Sequence, residues 1–126
     1  MSTTPSADIP QFEIASGPGP DGIWVVTVRG EVDMSHEEEL RGELRRAVTS
    51  GGEGIVVDLT ECEFIDSTGV RSLLLSREAQ ESENGPSGLA VAASSEQILR
   101  ILGVMGVDRV IPIRPTVAEA AAALSG

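Results

Sequence analysis

The sequence predicts a mixed α/β fold in which a largely parallel β-sheet carries its helices mainly on one face. Short β-branched runs alternate with amphipathic segments, and turn residues separate them. Of the 126 residues, 40% are hydrophobic, which is enough for one modest core. The predicted order is strand, strand, helix, strand, helix, strand, helix, strand, helix, and such alternation implies parallel strands joined by right-handed crossovers.

The first two strands are predicted to form a hairpin. Residues 1–10 are small and polar, so we expect a disordered lead before a single domain over residues 11–124. Residues 12–14 alternate apolar and polar, and GPGPDG at 17–22 is a turn. The Val-rich run 23–29 that follows is the second strand.

The first helix is predicted to begin near Ser35, which has capping-box spacing to Glu38. The glutamates at 37–39 occupy the first turn, where the helix dipole stabilises anions. No further ligands lie nearby in the sequence, so we interpret them as a helix start rather than a metal site. An apolar stripe predicts the buried face: Leu40, Leu44, Ala47 and Val48.

The central strand is predicted at 55–59, a short β-branched run that suits a strand covered by helices. A helix with Val70, Leu73 and Leu74 on one face follows, and ENGP at 83–86 ends it. Residues 89–93 read as the next strand.

The C-terminal part predicts two more helices around an edge strand. Ser94 and Gln97 have capping-box spacing, and Thr116 is placed to cap a last Ala-rich helix through Glu119. Residues 110–113 read as a strand, and Pro112 places it at an edge because proline cannot donate to a ladder. One apolar stripe predicts the core side of the third helix: Ile98, Leu99, Ile101, Leu102 and Met105.

The charge balance argues against nucleic acid and membrane surfaces as partners. The sequence contains twenty acidic and nine basic residues, all of the latter arginine, which gives a formal charge of −11. Such a surface repels phosphate backbones and anionic lipid. A basic protein surface would be attracted instead.

Cys62 is the only cysteine, so no internal disulfide can form, and we interpret it as a small core residue in a reducing compartment. No secretory leader or membrane span is evident in the sequence. We therefore expect a soluble cytoplasmic protein.

The most informative stretch is Asp-Ser-Thr-Gly at 66–69, where the central strand turns into a helix. Asp66 is the natural N-cap, and Ser67 falls at the first helical position with its hydroxyl exposed. Gly69 costs about 1 kcal/mol relative to alanine there, so it serves either close approach of another molecule or tight packing on the sheet. Asp33 leaves the neighbouring strand, and parallel strands would bring it to the same edge.

Enzyme hypotheses fit this sequence badly. His36 is the only histidine and is interpreted as a solvated neighbour of the adjacent glutamates, so a Ser-His-Asp device is disfavoured. No lysine is present for a phosphate-binding loop, and no second histidine stands at zinc spacing. The turn at 66–69 could still be only a helix cap.

Three segments together resemble the STAS domain family, in particular the free-standing anti-sigma-factor antagonists: residues 30–34, 54–75 and 98–120. The resemblance implies a protein whose unmodified form binds an anti-sigma factor and so releases a sigma factor. It implies that this partner is a serine kinase with its own ATP, that a protein phosphatase reverses the modification, and that the chain itself needs no cofactor.

The resemblance places the phosphorylated serine at Ser67 and makes Thr68 the less accessible alternative. It places Asp33 in the partner-contact surface, together with the residues of the turn, Asp66 and Gly69. Arg71 stands where many relatives have a small residue, on the same helical face as Ser67. Its guanidinium would contact either the phosphate or the partner, unless it is a plain surface arginine.

Two further hypotheses remain at this point. The same fold could act as a constitutive scaffold or as an accessory subunit of a transport or signalling complex. A small hydrolase or phosphatase using Asp66 and Ser67 is the third.

Overall fold

The predicted order of strands and helices is present in the computed structural model, which describes residues 11–85 and 88–125. The predicted lead at 1–10 lies outside these residues. The elements are β1 (Phe12–Pro18), β2 (Ile23–Val32), α1 (Glu37–Thr49), β3 (Gly54–Ile65), α2 (Ser67–Asn84), β4 (Leu89–Ala92), α3 (Glu96–Val104), β5 (Ile113–Arg114) and α4 (Val117–Ser125).

The sheet follows the order β1-β2-β3-β4-β5, with β1 antiparallel to β2 and the other neighbours parallel. The mixed, largely parallel sheet and its N-terminal hairpin are thereby confirmed. β3 is the central strand because β2 and β4 both pair with it. Its residues Ile55, Val56 and Val57 are all apolar and buried because both faces of the sheet are covered here: Ile55 and Val57 belong to one apolar layer and Val56 to the other.

The last strand is shorter than predicted. Val110 and Ile111 donate their backbone N–H groups to the carbonyl oxygen of Val107, at 3.0 and 2.8 Å, and so belong to a turn. The ladder therefore contains Ile113 and Arg114, preceded by the Pro112 carbonyl, which accepts from Val91 at 2.9 Å. The edge position predicted from proline is confirmed.

The sheet has a large and a small apolar layer. On one face α1, α2 and α3 cover β2, β3 and β4, with Leu44, Leu73 and Ile98 completely or almost completely buried. On the other face α4 packs Ala120 and Ala121 against small residues of the central strands. The helices thus lie mainly on one face, as predicted. α4, the last of the elements, is the exception.

Two local predictions for α3 need correction. The N-cap is Ser95, whose hydroxyl accepts from the Ile98 N–H at 3.4 Å, rather than Ser94. Leu99 and Met105 are about 40% exposed, while Ile98 and Leu102 are buried, so the core stripe is narrower than predicted. At α4 the predicted cap is confirmed, since the Thr116 hydroxyl accepts from the Glu119 N–H at 3.1 Å.

Candidate functional site

Two acidic residues lie together where neighbouring parallel strands end. β2 and β3 pair through to Val32 and Ile65, after two irregularities in their register. The Asp66 N–H donates to the Val32 carbonyl at 3.1 Å, which fixes the two strand ends side by side. Asp33 and Asp66 follow directly, so the predicted proximity of these residues at one sheet edge is confirmed.

Asp66 is the N-cap of α2, as predicted. Its Oδ1 accepts from the Gly69 N–H at 3.0 Å. Ser67 is therefore the first helical residue, and its side chain is exposed. Among the described residues, none forms a hydrogen bond with the Ser67 hydroxyl. The hydroxyl is free to react without loss of a structural contact. Thr68 is half-buried, which agrees with its lower predicted accessibility.

Gly69 is required by packing. It is buried, and a Cβ at this position would lie 2.7 Å from Ile65 Cγ1 and 3.2 Å from Val32 Cγ1. These atoms belong to the two strand ends just described. Of the two explanations left open by the sequence, the structure supports tight packing on the sheet. We therefore remove Gly69 from the predicted partner-contact residues, because it lies beneath the surface.

The loop after β2 is organised by Asp33 rather than by the predicted Ser35–Glu38 capping box. Asp33 Oδ1 accepts from the Ser35 hydroxyl at 2.6 Å and from the Ser35 N–H at 2.9 Å. It caps a short 3₁₀ helix over Met34–His36, which leads into α1. The hydrogen bond from the Ser35 hydroxyl, then that from its N–H, holds the pKa of Asp33 below its ordinary value, and His36 adds to the effect.

His36 is packed rather than solvated, which corrects our interpretation. Its side chain is 21% exposed and its ring stacks on Phe12, with centroids 4.2 Å apart and planes 8° from parallel. Its Nδ1 accepts from the Asp33 N–H at 3.4 Å. The histidine thus ties the first strand to the Asp33 loop. It is not placed beside Ser67 as a catalytic base.

A groove of about 490 Å³ runs beside the first turns of α2. Six residues line it: Glu37 of α1, Ser67, Thr68, Arg71 and Leu74 of α2, and Met105, which directly follows α3. The predicted modification site and Arg71 therefore share one concave surface. Glu37 and Met105 were not predicted as site residues, and Met105 lines the groove because α3 ends beside it.

Large apolar side chains are exposed in the groove, in the Asp33 loop and at the end of α3. Met105 is 41% exposed, Met34 of the Asp33 loop is 68% exposed, and Val104 at the end of α3 is 81% exposed. Large apolar side chains clustered around polar groups are typical of protein-binding surfaces. The arrangement suits contact with another protein better than enclosure of a small substrate.

The described residues show neither a metal-ligand cluster nor a reactive thiol. No three histidine, cysteine, aspartate or glutamate side chains gather within the described ranges as a metal site would require. Cys62 is buried, and burial raises the pKa of its thiol to about 11, which agrees with a core role. No helix in the described part of the chain is long and apolar enough to cross a membrane.

Comparison with known proteins points to one family. The sequence profile of the STAS domain matches residues 16–120. BtrV of Bordetella bronchiseptica, provisionally named an anti-sigma factor antagonist, is 26% identical over 103 residues, which cover 82% of this chain and 87% of BtrV.

Solved structures of anti-sigma factor antagonists have the same fold as this chain. The crystal structure of an anti-sigma factor antagonist from Mycobacterium paratuberculosis superposes with a TM-score of 0.82 at 28% identity, over 91% of this chain and 95% of that one. The phosphorylated form of SpoIIAA from Bacillus has the same fold, with a TM-score of 0.62 at 19% identity over 88% and 98% of the two chains. With its fold and 105 contiguous positions matched, this chain belongs to the STAS domain family.

Proposed function

We propose that this protein is a phosphorylation-controlled anti-sigma-factor antagonist in the cytoplasm. Its unmodified form binds an anti-sigma factor and thereby releases a sigma factor, and phosphorylation of Ser67 weakens that complex. The observation that carries the proposal is the exposed Ser67 hydroxyl at the start of α2, on a groove that the exposed Met105 also lines. Membership of the STAS family and similarity to anti-sigma-factor antagonists support it.

The modification is a phosphoryl transfer for which the partner supplies the nucleotide. The partner, a serine kinase, transfers the γ-phosphoryl group of its ATP to Ser67 Oγ, the hydroxyl proton is released, and ADP leaves. A protein phosphatase returns serine and inorganic phosphate by hydrolysis. This chain provides only the acceptor, so we assign it no cofactor and no catalytic residue.

The chain is expected to remain folded when phosphorylated. Ser67 makes no hydrogen bond within the described residues, so the phosphate disrupts none. The first turn of α2 contains no acidic residue beyond the Asp66 cap, and the free N–H groups of a helix start stabilise an anion. A phosphate adds roughly 1.5 to 2 negative charges. The fold tolerates this charge because it lies in solvent.

The complex with the anti-sigma factor is expected not to tolerate the charge of the phosphate. Asp33 and Asp66 lie at the same sheet edge, and Glu37 lines the same groove as Ser67. A partner seated here would have to bury the phosphate among these carboxylates. Like charges brought together in an interface are unfavourable, so we expect binding to weaken by about tenfold or more, which corresponds to about 1.4 kcal/mol or more.

The test uses this chain as bait in its own cells. Ser67→Ala should retain an anti-sigma factor on co-purification, and Ser67→Asp should retain much less while melting at the same temperature. Ser82→Asp is the matched control, because it adds the same charge to an exposed position of α2 far from the groove. Equal recovery of the partner by all three variants would contradict the switch.

Mass spectrometry of the protein from cells separates the other hypotheses. Absence of phosphate at Ser67 and Thr68 under all growth conditions would favour a constitutive scaffold or an accessory subunit of a transport or signalling complex. Hydrolase or phosphatase activity that Asp66→Asn abolishes would favour an enzyme instead.

A further inference from the structure

Arg71 has no anionic partner among the described residues, although the protein is strongly acidic. Five other arginines form ion pairs with glutamates: Arg29, Arg41, Arg45, Arg46 and Arg77. Arg71 is exposed and makes no ion pair or hydrogen bond within the described residues. Glu37 lines the same groove, but its carboxylate lies 3.7 Å from Arg41. The groove therefore presents one uncompensated guanidinium.

Helix geometry favours an Arg71 side chain that extends towards Ser67. Arg71 lies four residues after Ser67 on α2, and both line the groove. Side chains of a helix lean towards its N-terminus, so a long arginine side chain extends over the turn that contains Ser67. An anion placed four residues before a cation is the favourable order for a pair on a helix surface.

We propose that Arg71 holds the phosphate of phosphoserine 67 along the surface of α2. This inference depends on the proposed function, which supplies the phosphate. The two aspartates near the start of α2 have hydrogen-bond partners of their own, since Asp66 accepts from the Gly69 N–H and Asp33 accepts from Ser35. A guanidinium can donate two parallel hydrogen bonds to a phosphate, which makes arginine better suited than lysine.

The pair of Arg71 and the phosphate changes the charge that the groove presents to a partner. In the unmodified chain the groove contains one free positive charge beside Leu74 and Met105. In the phosphorylated chain that charge is neutralised, and the remaining phosphate charge shares the groove with Glu37. Arg71 thus pairs with the phosphate, and its guanidinium is then no longer available to a carboxylate of the partner. It is a positioning residue of the switch.

The experiment measures the phosphate itself and needs no partner. A chain with phosphoserine incorporated at position 67 is titrated by ³¹P NMR, as wild type and with Arg71→Gln. Since an exposed pair contributes modestly, we expect the second pKa of the phosphate to rise by about 0.2 to 0.7 unit when the guanidinium is removed. The difference should shrink when salt is raised from about 0.02 M to about 0.5 M.

Three further variants make the test specific. Arg71→Lys should restore part of the difference. Glu37→Gln should move the phosphate pKa the opposite way from Arg71→Gln, because it removes a repelling charge. Arg100→Gln should have no effect, since Arg100 is likewise exposed and outside the ion pairs described above but belongs to α3.

Identical phosphate pKa values in wild type and Arg71→Gln would overturn the inference. That outcome would leave the proposed function intact, because the partner could still discriminate the two forms. Conversely, failure of Ser67 to be phosphorylated in cells would refute the proposed function without altering the titration.

Discussion

Replacing Gly69 with alanine should destabilise the protein, although alanine is the better helix former. In an open helical position the change from glycine to alanine stabilises by about 1 kcal/mol at most. Here the new methyl group would lie 2.7 Å from Ile65 Cγ1 and 3.0 Å from Ile65 Cδ1. Ile65 is 1% exposed, so it cannot turn into solvent.

The expected net effect follows from the two opposing terms. Overpacking a core typically costs about 1 to 3 kcal/mol, and the helix-propensity gain offsets part of it. We expect Gly69→Ala to lower the free energy of unfolding by about 1 to 2 kcal/mol. Because Gly69 spans the ends of β2 and β3, the strain should also displace the Asp66 cap.

Urea unfolding followed by circular dichroism measures this effect, and the chain contains its own controls. Gly42 in α1 and Gly103 in α3 are exposed, and a Cβ at either position meets no atom within 4 Å. Gly42→Ala and Gly103→Ala should therefore raise the midpoint of unfolding. If Gly69→Ala stabilises the protein as they do, the packing argument for this glycine is wrong.

Three other predictions concern the same corner of the fold. Asp66→Ala should cost about 1 kcal/mol of unfolding free energy in urea melts by removing the N-cap of α2, whereas Asp66→Asn should cost much less. Asp33 has a lowered pKa in the folded state, so its stabilising effect is present above the ordinary Asp value of about 3.9 and is lost as pH falls below it. Urea midpoints measured from neutral pH to about pH 2 should decline less for Asp33→Asn than for wild type, and parallel declines would contradict this assignment. With its pKa raised to about 11, Cys62 should react with a thiol reagent at pH 8 far more slowly in the folded than in the urea-unfolded protein.

Much of the site could be predicted because its signals are local or topological. Asp66 follows an apolar strand and precedes residues that start a helix, so its cap was evident from the sequence. The proximity of Asp33 follows from two consecutive parallel strands, since their carboxyl ends share an edge. Neither inference needed side-chain packing.

The errors arose where distant residues decide between local alternatives. Ser35 and Asp33 both have spacing suitable for a helix cap, and in the structure Asp33 is the cap. His36, in the same short helix, stacks on Phe12 of β1, a contact that the local sequence does not reveal. Met105 fits the periodic stripe of α3, but the stripe does not reveal where the core ends. Its place in the groove depends on how α3 packs against the rest of the domain.

The central claim is that a phosphate on Ser67 changes binding while the fold stays intact. The most direct measurement compares unmodified and phosphoserine-67 protein by calorimetric titration against the anti-sigma factor recovered with the Ser67→Ala bait, with a thermal melt of each form. We predict melting temperatures within a few degrees of each other and an affinity about tenfold or more lower for the phosphorylated form. Equal affinities, or a phosphorylated chain that no longer melts cooperatively, would contradict the claim.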